Sequence, residues 1–392
     1  MMELAGVLRG MLQIKAINTT DFVWRLHCRG TVYLLVVATL LLSMRQYFGS
    51  PIDCVTGPGD LSASTMNEFC WIMGTYISKD PDFVLEGTNI VKIGAKLGHI
   101  PEHERSYQKY YQWVVFILAF QACLFSVPNV LWKIWEGRRL ESLCEGLTTP
   151  IVPDKVRLSN KKKLIRYFAR ECNHSFRKYV QRYCFCMVLN FVNVLLCILI
   201  MNMIFSGFWM NYSPAVKALL SFDMPSWNRY NSQVFPKLAK CDFHFVGPSG
   251  SAQNRDALCL LALNVLNEKI FAFLWVWFIL LGVISIINLL YWCLLVCCSS
   301  MREKLLYSTV HPIRMTHVTG ALDGQGIGKW YLLYQLCCNL NPLVGREIIF
   351  TIAKMNARDN EHHTYQKPKS PKTDSFPDDL NDIIDDDDDL DV

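Results

Sequence analysis

Between Ile270 and Met301 the chain reads IFAFLWVWFILLGVISIINLLYWCLLVCCSSM, 32 residues without an Asp, Glu, Lys or Arg. Roughly 20 apolar residues at about 1.5 Å each cross a bilayer core of about 30 Å, so the stretch reads as a membrane span. Working outward from it, Tyr183 to Val216, Tyr110 to Trp132 and Gly30 to Met44 lack the same four residue types. The last is only 15 residues long. It spans if Arg29 and Arg45 snorkel at its ends and Tyr47 and Phe48 sit in the interface. A cleaved signal peptide fits less well, because 29 residues precede the apolar core and no small-x-small site follows it. The whole chain of 392 residues is 52% apolar and 19% charged, against about 25% charged in soluble domains. A polytopic membrane protein is the working class.

Basic residues set the orientation. Residues 1–29 hold 4 basic against 2 acidic, 45–109 hold 6 against 8, 133–182 hold 13 against 5, and 210–269 hold 6 against 4. Positive charge stays in the cytoplasm, so 133–182 is inside and its neighbours are outside. The expected order is an inner amino-terminal segment 1–29, spans at 30–48, 110–132, 183–209 and 270–298, outer loops 49–109 and 210–269, and an inner loop 133–182. An inner helical region 299–357 and a disordered acidic tail 358–392 complete it, with both termini cytoplasmic. The net charge of +5 averages unlike compartments and implies no nucleic-acid partner.

Of 16 cysteines, Cys54 and Cys70 fall in the first outer loop and Cys241 and Cys259 in the second. An even count on the oxidising side suits a disulfide framework, and four cysteines permit three pairings. Cys123, Cys184, Cys186, Cys197 and Cys293 read as packing residues, and Cys297 and Cys298 at an inner span end are open to palmitoylation. No Cys or His spacing matches a zinc site, so no metal or cofactor is expected.

Leu4, Val7, Leu8 and Met11 recur at helical spacing, which makes one apolar face that suits either an interfacial helix or a pore helix. Thr20 and Asp21 are placed to cap the helix entering the first span. Pro128 removes a donor inside the second span and predicts a kink. Lys161, Lys162 and Lys163 suit a helical subdomain with a basic face toward the inner leaflet. Trp330, Leu332, Leu333, Leu336, Leu340 and Val344 form an amphipathic pattern expected in a cytoplasmic dome. Gly324, Gly326 and Gly328 fail the P-loop spacing, and the uncharged stretches hold no paired ionisable groups of the kind a pump needs. Enzymatic function is not expected. The triplet Asn211-Tyr212-Ser213 abuts a span and precedes Pro214, which makes glycosylation there improbable.

Tyr110-Tyr111-Gln112-Trp113-Val114 resembles the YYQWV signature of innexins, the invertebrate gap-junction proteins. Gln46 through Cys54 resembles the start of their first outer loop. Phe235-Pro236-Lys237, Cys241, Gly247-Pro248-Ser249-Gly250, Cys259 and Asn267-Glu268-Lys269 are similar to the second loop, and Trp330 through Leu336 to a tail motif. The resemblance covers nearly all of residues 1–350 and is closest to arthropod members. The tail beyond about 365 and an extended first loop around 80–105 depart from the pattern.

The resemblance implies an all-α membrane fold: a four-transmembrane-helix bundle with disulfide-linked extracellular loops and a helical cytoplasmic dome. It implies a homo- or hetero-oligomeric ring, of eight protomers by the family's habit, with Leu4, Val7, Leu8 and Met11 in the pore funnel. Loop-to-loop disulfides follow from it, the nested arrangement Cys54 with Cys259 and Cys70 with Cys241 being preferred. The implied function is a plasma-membrane gap-junction channel that docks with a ring on the apposed cell and passes ions and small metabolites, with undocked rings as hemichannels. The alternatives are a non-docking pannexin-like channel and a four-span adhesion or scaffold protein, for which no tetraspanin or claudin motif appears. Membrane lipid is a further partner, and Leu390-Asp391-Val392 resembles a PDZ ligand.

Overall fold

The computed structural model describes residues 17–57, 62–78, 100–148, 154–170, 173–205, 207–323 and 326–365. Among the described residues four helices are long and apolar enough to cross a membrane: α1 (Phe22–Phe48), α3 (Val114–Glu136), α6 (Asn173–Ile204) and α9 (Ala262–Cys297). Each is continuous with polar sequence. Helix α1 begins at Phe22, carries Arg25 and Arg29, and winds as a π-helix over Leu26–Thr31. The Thr31 hydroxyl donates to the Leu26 carbonyl at 3.1 Å within that wider turn. Helix α9 likewise takes in Asn264, Asn267 and Glu268, all buried. On α6, Phe185, Val188, Val192, Leu195 and Leu199 recur at three- and four-residue spacing and are exposed. An apolar face of that size suits hydrocarbon rather than water.

The remaining elements are β1 (Asp53–Val55), α2 (Ala63–Met73), β2 (Thr75–Ser78), β3 (Arg105–Gln108), α4 (Arg139–Leu143), α5 (Asp154–Arg170), α7 (Phe208–Leu220) and α8 (Met224–Val234). After them come β4 (Leu238–Val246), β5 (Ala252–Leu260), α10 (Ser299–Val310), α11 (Met315–Leu322), α12 (Ile327–Asn339) and α13 (Pro342–Tyr365). Gly207, at φ +88°, ends α6. Its N–H bonds back to the Asn202 carbonyl at 3.0 Å, the left-handed termination that glycine supplies without Cβ strain.

The chain divides into two compact units. One comprises 25–128 and 189–286. Its bundle core includes Leu35, Leu42, Leu118, Phe125, Val194, Leu274, Phe278 and Leu281. The unit also holds an antiparallel sheet of order β1-β5-β4-β2-β3 over a second core of Ile52, Met66, Ile77, Ala239 and Leu261. The predominantly helical class therefore carries a sheet that the apolar stretches gave no sign of. β5, AQNRDALCL, shows no clean two-residue alternation, whereas β4, LAKCDFHFV, alternates apolar and polar residues from Ala239 to Phe245 and carries a strand signal of its own.

The other unit comprises 1–24, 129–188 and 287–392. Tyr183 stacks on Trp24 with centroids 5.1 Å apart and meets Trp132, Trp292 and Tyr331 at 5.1 to 5.2 Å. The Asp21 carboxylate accepts from the Tyr183 hydroxyl at 2.7 Å and the Trp292 indole at 3.3 Å. Asn339 at the end of α12 donates to the Asn18 carbonyl at 2.9 Å and accepts the Asn18 N–H at 2.6 Å. Trp330, Tyr331, Leu332, Leu333 and Leu336 are buried along α12.

Candidate functional site

The first interhelical segment contributes β1, β2 and β3 to the sheet and the second contributes β4 and β5, so the sheet is built from both. Cys54 lies directly opposite Cys259 in the β1–β5 ladder and is bonded to it across 205 residues of sequence. Cys70, in the last turn of α2, is bonded to Cys241 on β4 across 171 residues. All four are buried, and the sulfurs of Cys54, Cys70 and Cys259 lie within 4.8 Å of one another. Oxidised in pairs, they have no thiolate to offer a metal.

Polar bonds join the same two segments. Arg105 on β3 places a guanidinium nitrogen 2.9 Å from the Asp242 carboxylate on β4, with both side chains mostly buried. The Tyr76 hydroxyl on β2 donates to the other Asp242 oxygen at 2.5 Å, and the Arg105 guanidinium covers the Tyr76 ring at 4.3 Å. Burial, and then the bond to Asp242, hold the Tyr76 phenol well above the ordinary tyrosine range. A carboxylate so enclosed is stable because both oxygens are taken.

The YYQWV stretch sits where α3 begins. The Tyr111 hydroxyl donates to the Cys70 carbonyl at 3.3 Å, its ring packs on Trp71 at 4.7 Å, and Gln112 donates to the Trp71 carbonyl. Tyr110 donates to the Val234 carbonyl at 3.2 Å and meets Phe205 and Phe235 edge-on. Val114 is buried and Trp113 is exposed. Three of the five residues thus bind α3 to the disulfide-bearing end of α2 and to the end of α8. At the start of α9, buried Glu268 pairs with Lys237 at 3.2 Å and Lys269 at 2.7 Å and accepts from Asn231. Tyr212, beside Asn211, is fully buried, with its hydroxyl 3.0 Å from the Glu268 carbonyl.

Pro128 lies inside α3, which is continuous through it. The carbonyl it deprives of a backbone donor is that of Leu124. Buried Asn193 on α6 supplies the missing donor at 2.7 Å. Leu4, Val7, Leu8 and Met11 lie outside the described residues. Sequence reasoning missed Tyr76, Arg105, Asp242 and Asn193. Tyr76 and Arg105 meet Asp242, and Asn193 meets Leu124, across long stretches of chain, even though Arg105 also donates to the nearby Ile100 carbonyl at 2.9 Å, and no local pattern marks such residues. Glu268 was visible within the quoted Asn267-Glu268-Lys269, though not as the centre of a buried cluster.

This arrangement cross-links and braces the chain. It yields four apolar helices carrying a cross-linked sheet, whose hairpin β4–β5 turns at Gly247–Ser251 through a bond from the Gly250 N–H to the Gly247 carbonyl at 2.9 Å. Exposed Val246, Leu258 and Val55 leave that sheet with apolar surface for a partner. The family model for innexins matches residues 20–355. The chain is 65% identical over 378 residues to innexin inx4 of Anopheles gambiae, covering 96% of this chain and 98% of that one. It is 38% identical to innexin inx2 of Drosophila melanogaster over 94% of this chain and 99% of that one. It is also 38% identical to Drosophila innexin inx4, over 86% and 92%. Innexins are channel proteins that assemble as oligomers and cross the membrane several times at gap junctions. Four apolar helices joined by segments that are bonded to each other are what such a subunit needs, and the chain belongs to the innexin family of gap-junction channel subunits.

Proposed function

We propose that this innexin passes ions and small metabolites by passive diffusion between adjacent cells, with its disulfide-tied sheet as the docking face. The observation that carries the reading is the joint construction of that sheet from both interhelical segments. A contact surface that must hold its shape against an identical or related ring gains from cross-linking, because loop entropy is removed before docking. The charge bias supports placing the sheet outside and both termini inside. The amino-terminal segment with Leu4, Val7, Leu8 and Met11 is assigned to the pore, and the ring to eight protomers, on the family resemblance. Undocked rings serve as hemichannels. Membrane lipid surrounds the ring, and the terminal Leu390-Asp391-Val392 is offered to a PDZ domain.

Dual voltage clamp on paired cells expressing the chain tests the reading, with Cys70→Ser as the matched variant. Junctional current in the parent and none in the variant, at equal surface expression, is expected. Large single-membrane currents without junctional current would instead identify a non-docking channel.

A further inference from the structure

Where α3 ends and α6 begins, Trp135, Arg139, His174, Lys178 and Arg182 border a cavity of about 340 Å³. A second, of about 550 Å³, shares Trp135, Lys178 and Arg182 and reaches Phe185. Its walls are fixed. Arg139 donates to the Tyr167 hydroxyl at 2.7 Å and to Ser175 at 3.2 Å. Trp135 meets Phe185 at 5.8 Å, and the Arg182 guanidinium lies 5.8 Å from the Trp135 ring.

The charges are unbalanced. Lys178 and Arg182 stand one turn apart on a single helix face, a spacing at which like charges repel. Neither has a carboxylate partner among the described residues. Among the described residues, Glu136 accepts the Arg138 and Leu140 backbone N–H groups at 2.9 and 2.7 Å, and Glu141 pairs with Arg138 at 2.8 Å. Arg139, Lys178 and Arg182 outnumber the neighbouring Glu136 carboxylate, so the pocket is net positive, and cations held side by side over an aromatic floor fit an anion with several oxygens. The apolar surroundings specify what carries that anion. Phe185 and Val188 on α6, and Val130 and Ile134 on α3, are exposed directly beyond the basic residues, and tryptophan favours the headgroup level.

We propose that this pocket binds the phosphorylated headgroup of an anionic phospholipid of the inner leaflet, with an acyl chain lying along Phe185 and Val188. The proposal rests on the orientation given above, which puts 133–182 at the anionic cytoplasmic surface. Native mass spectrometry of the assembled full-length channel, titrated with short-chain phosphatidylinositol bisphosphate, tests it. Saturable binding is expected. Removing two surface-proximal cations at about 1 kcal/mol each should weaken it roughly 30-fold in Lys178→Gln/Arg182→Gln. Lys217→Gln, a charge change on α7, should bind as the parent does, and the same spectra report whether each variant assembles. If the double variant does not assemble, Lys178→Gln alone is titrated and should show a smaller loss. Unchanged affinity in the substituted pocket overturns the site. Equal affinity for soluble inositol trisphosphate overturns the lipid assignment, since acyl chains would then contribute nothing. Dye flux through the same rings in vesicles keeps the two readings apart: flux without lipid binding removes the site and leaves the channel.

Discussion

The side-chain amide of Asn193 donates to the carbonyl of Leu124 at 2.7 Å, replacing the backbone N–H that Pro128 cannot supply. In hydrocarbon an orphaned carbonyl has no water to turn to. Replacing Asn193 with Ala should cost about 1 to 2 kcal/mol of bundle stability. Pro128→Ala restores the backbone donor, so the double variant should recover much of that loss. Thermal denaturation of the four proteins in detergent measures the coupling, and strict additivity would refute the substitution of one donor for the other.

The two disulfides should act on docking before they act on folding of the helices. Each cross-link is worth about 2 to 4 kcal/mol, and both lie within the sheet core. Cys54→Ser/Cys259→Ser and Cys70→Ser/Cys241→Ser should each reach the surface in reduced amount and abolish junctional conductance, measured against surface biotinylation. Full conductance in either pair would remove the disulfides from the docking mechanism.

Asp242 is enclosed by Tyr76 and Arg105, so removing it strands a buried guanidinium. Asp242→Ala should destabilise the sheet by about 3 kcal/mol, read as faster hydrogen exchange across β2 and β4. The Tyr76 phenol adds a pH dependence. Its folded pKa is raised by burial and by Asp242, so its contribution is complete below about 10, the unfolded tyrosine value, and is lost as pH climbs through the higher folded value. The protection factor of the sheet, which is exchange corrected for its base-catalysed intrinsic rate, should be flat from neutral to mildly alkaline pH and fall beyond it, and Tyr76→Phe should flatten that fall.

Cys144 is fully buried after α4, and burial, with the Glu136 charge, pushes its thiol up to about 12. Because the folded value lies above the unfolded one, the neutral thiol favours the fold below about 9, and that benefit fades between about 9 and 12. Maleimide at mildly alkaline pH should leave Cys144 unlabelled in the native protein and label it in denaturant. Exposed Cys297 and Cys298 should label natively, after hydroxylamine if they are palmitoylated in cells.

Charge-free length made the four apolar helices legible, because a span can hold few ionised groups whatever it packs against. The same criterion stopped short at Arg29 and Lys269, since it cannot see that α1 continues back through Arg25 or that Glu268 is buried against Lys237, Lys269 and Asn231. The YYQWV stretch identified the family, yet the task of Tyr111 and Gln112, bonding to Cys70, Trp71 and Ile72, needs coordinates. The sheet was hidden most completely. Tyr76 meets Lys240 and Cys54 meets Cys259, pairings between segments separated by two membrane-length helices, and apart from β4, which alternates from Ala239 to Phe245, the short strands carry little periodic signal of their own.

The interleaving of β1, β2 and β3 with β4 and β5 has a consequence for how the protein is made. At about 5 to 20 residues per second, Cys54 is translated roughly 10 to 40 seconds before Cys259, which lies 205 positions downstream. On the orientation proposed above, the first interhelical segment stands in an oxidising lumen during that interval with Cys70 as its nearest cysteine there, and any Cys54–Cys70 bond formed then must be exchanged before the sheet can close. Closing the sheet from that state takes disulfide exchange once Cys241 and Cys259 have been made, and depleting the isomerase should trap a monomer locked by the premature bond.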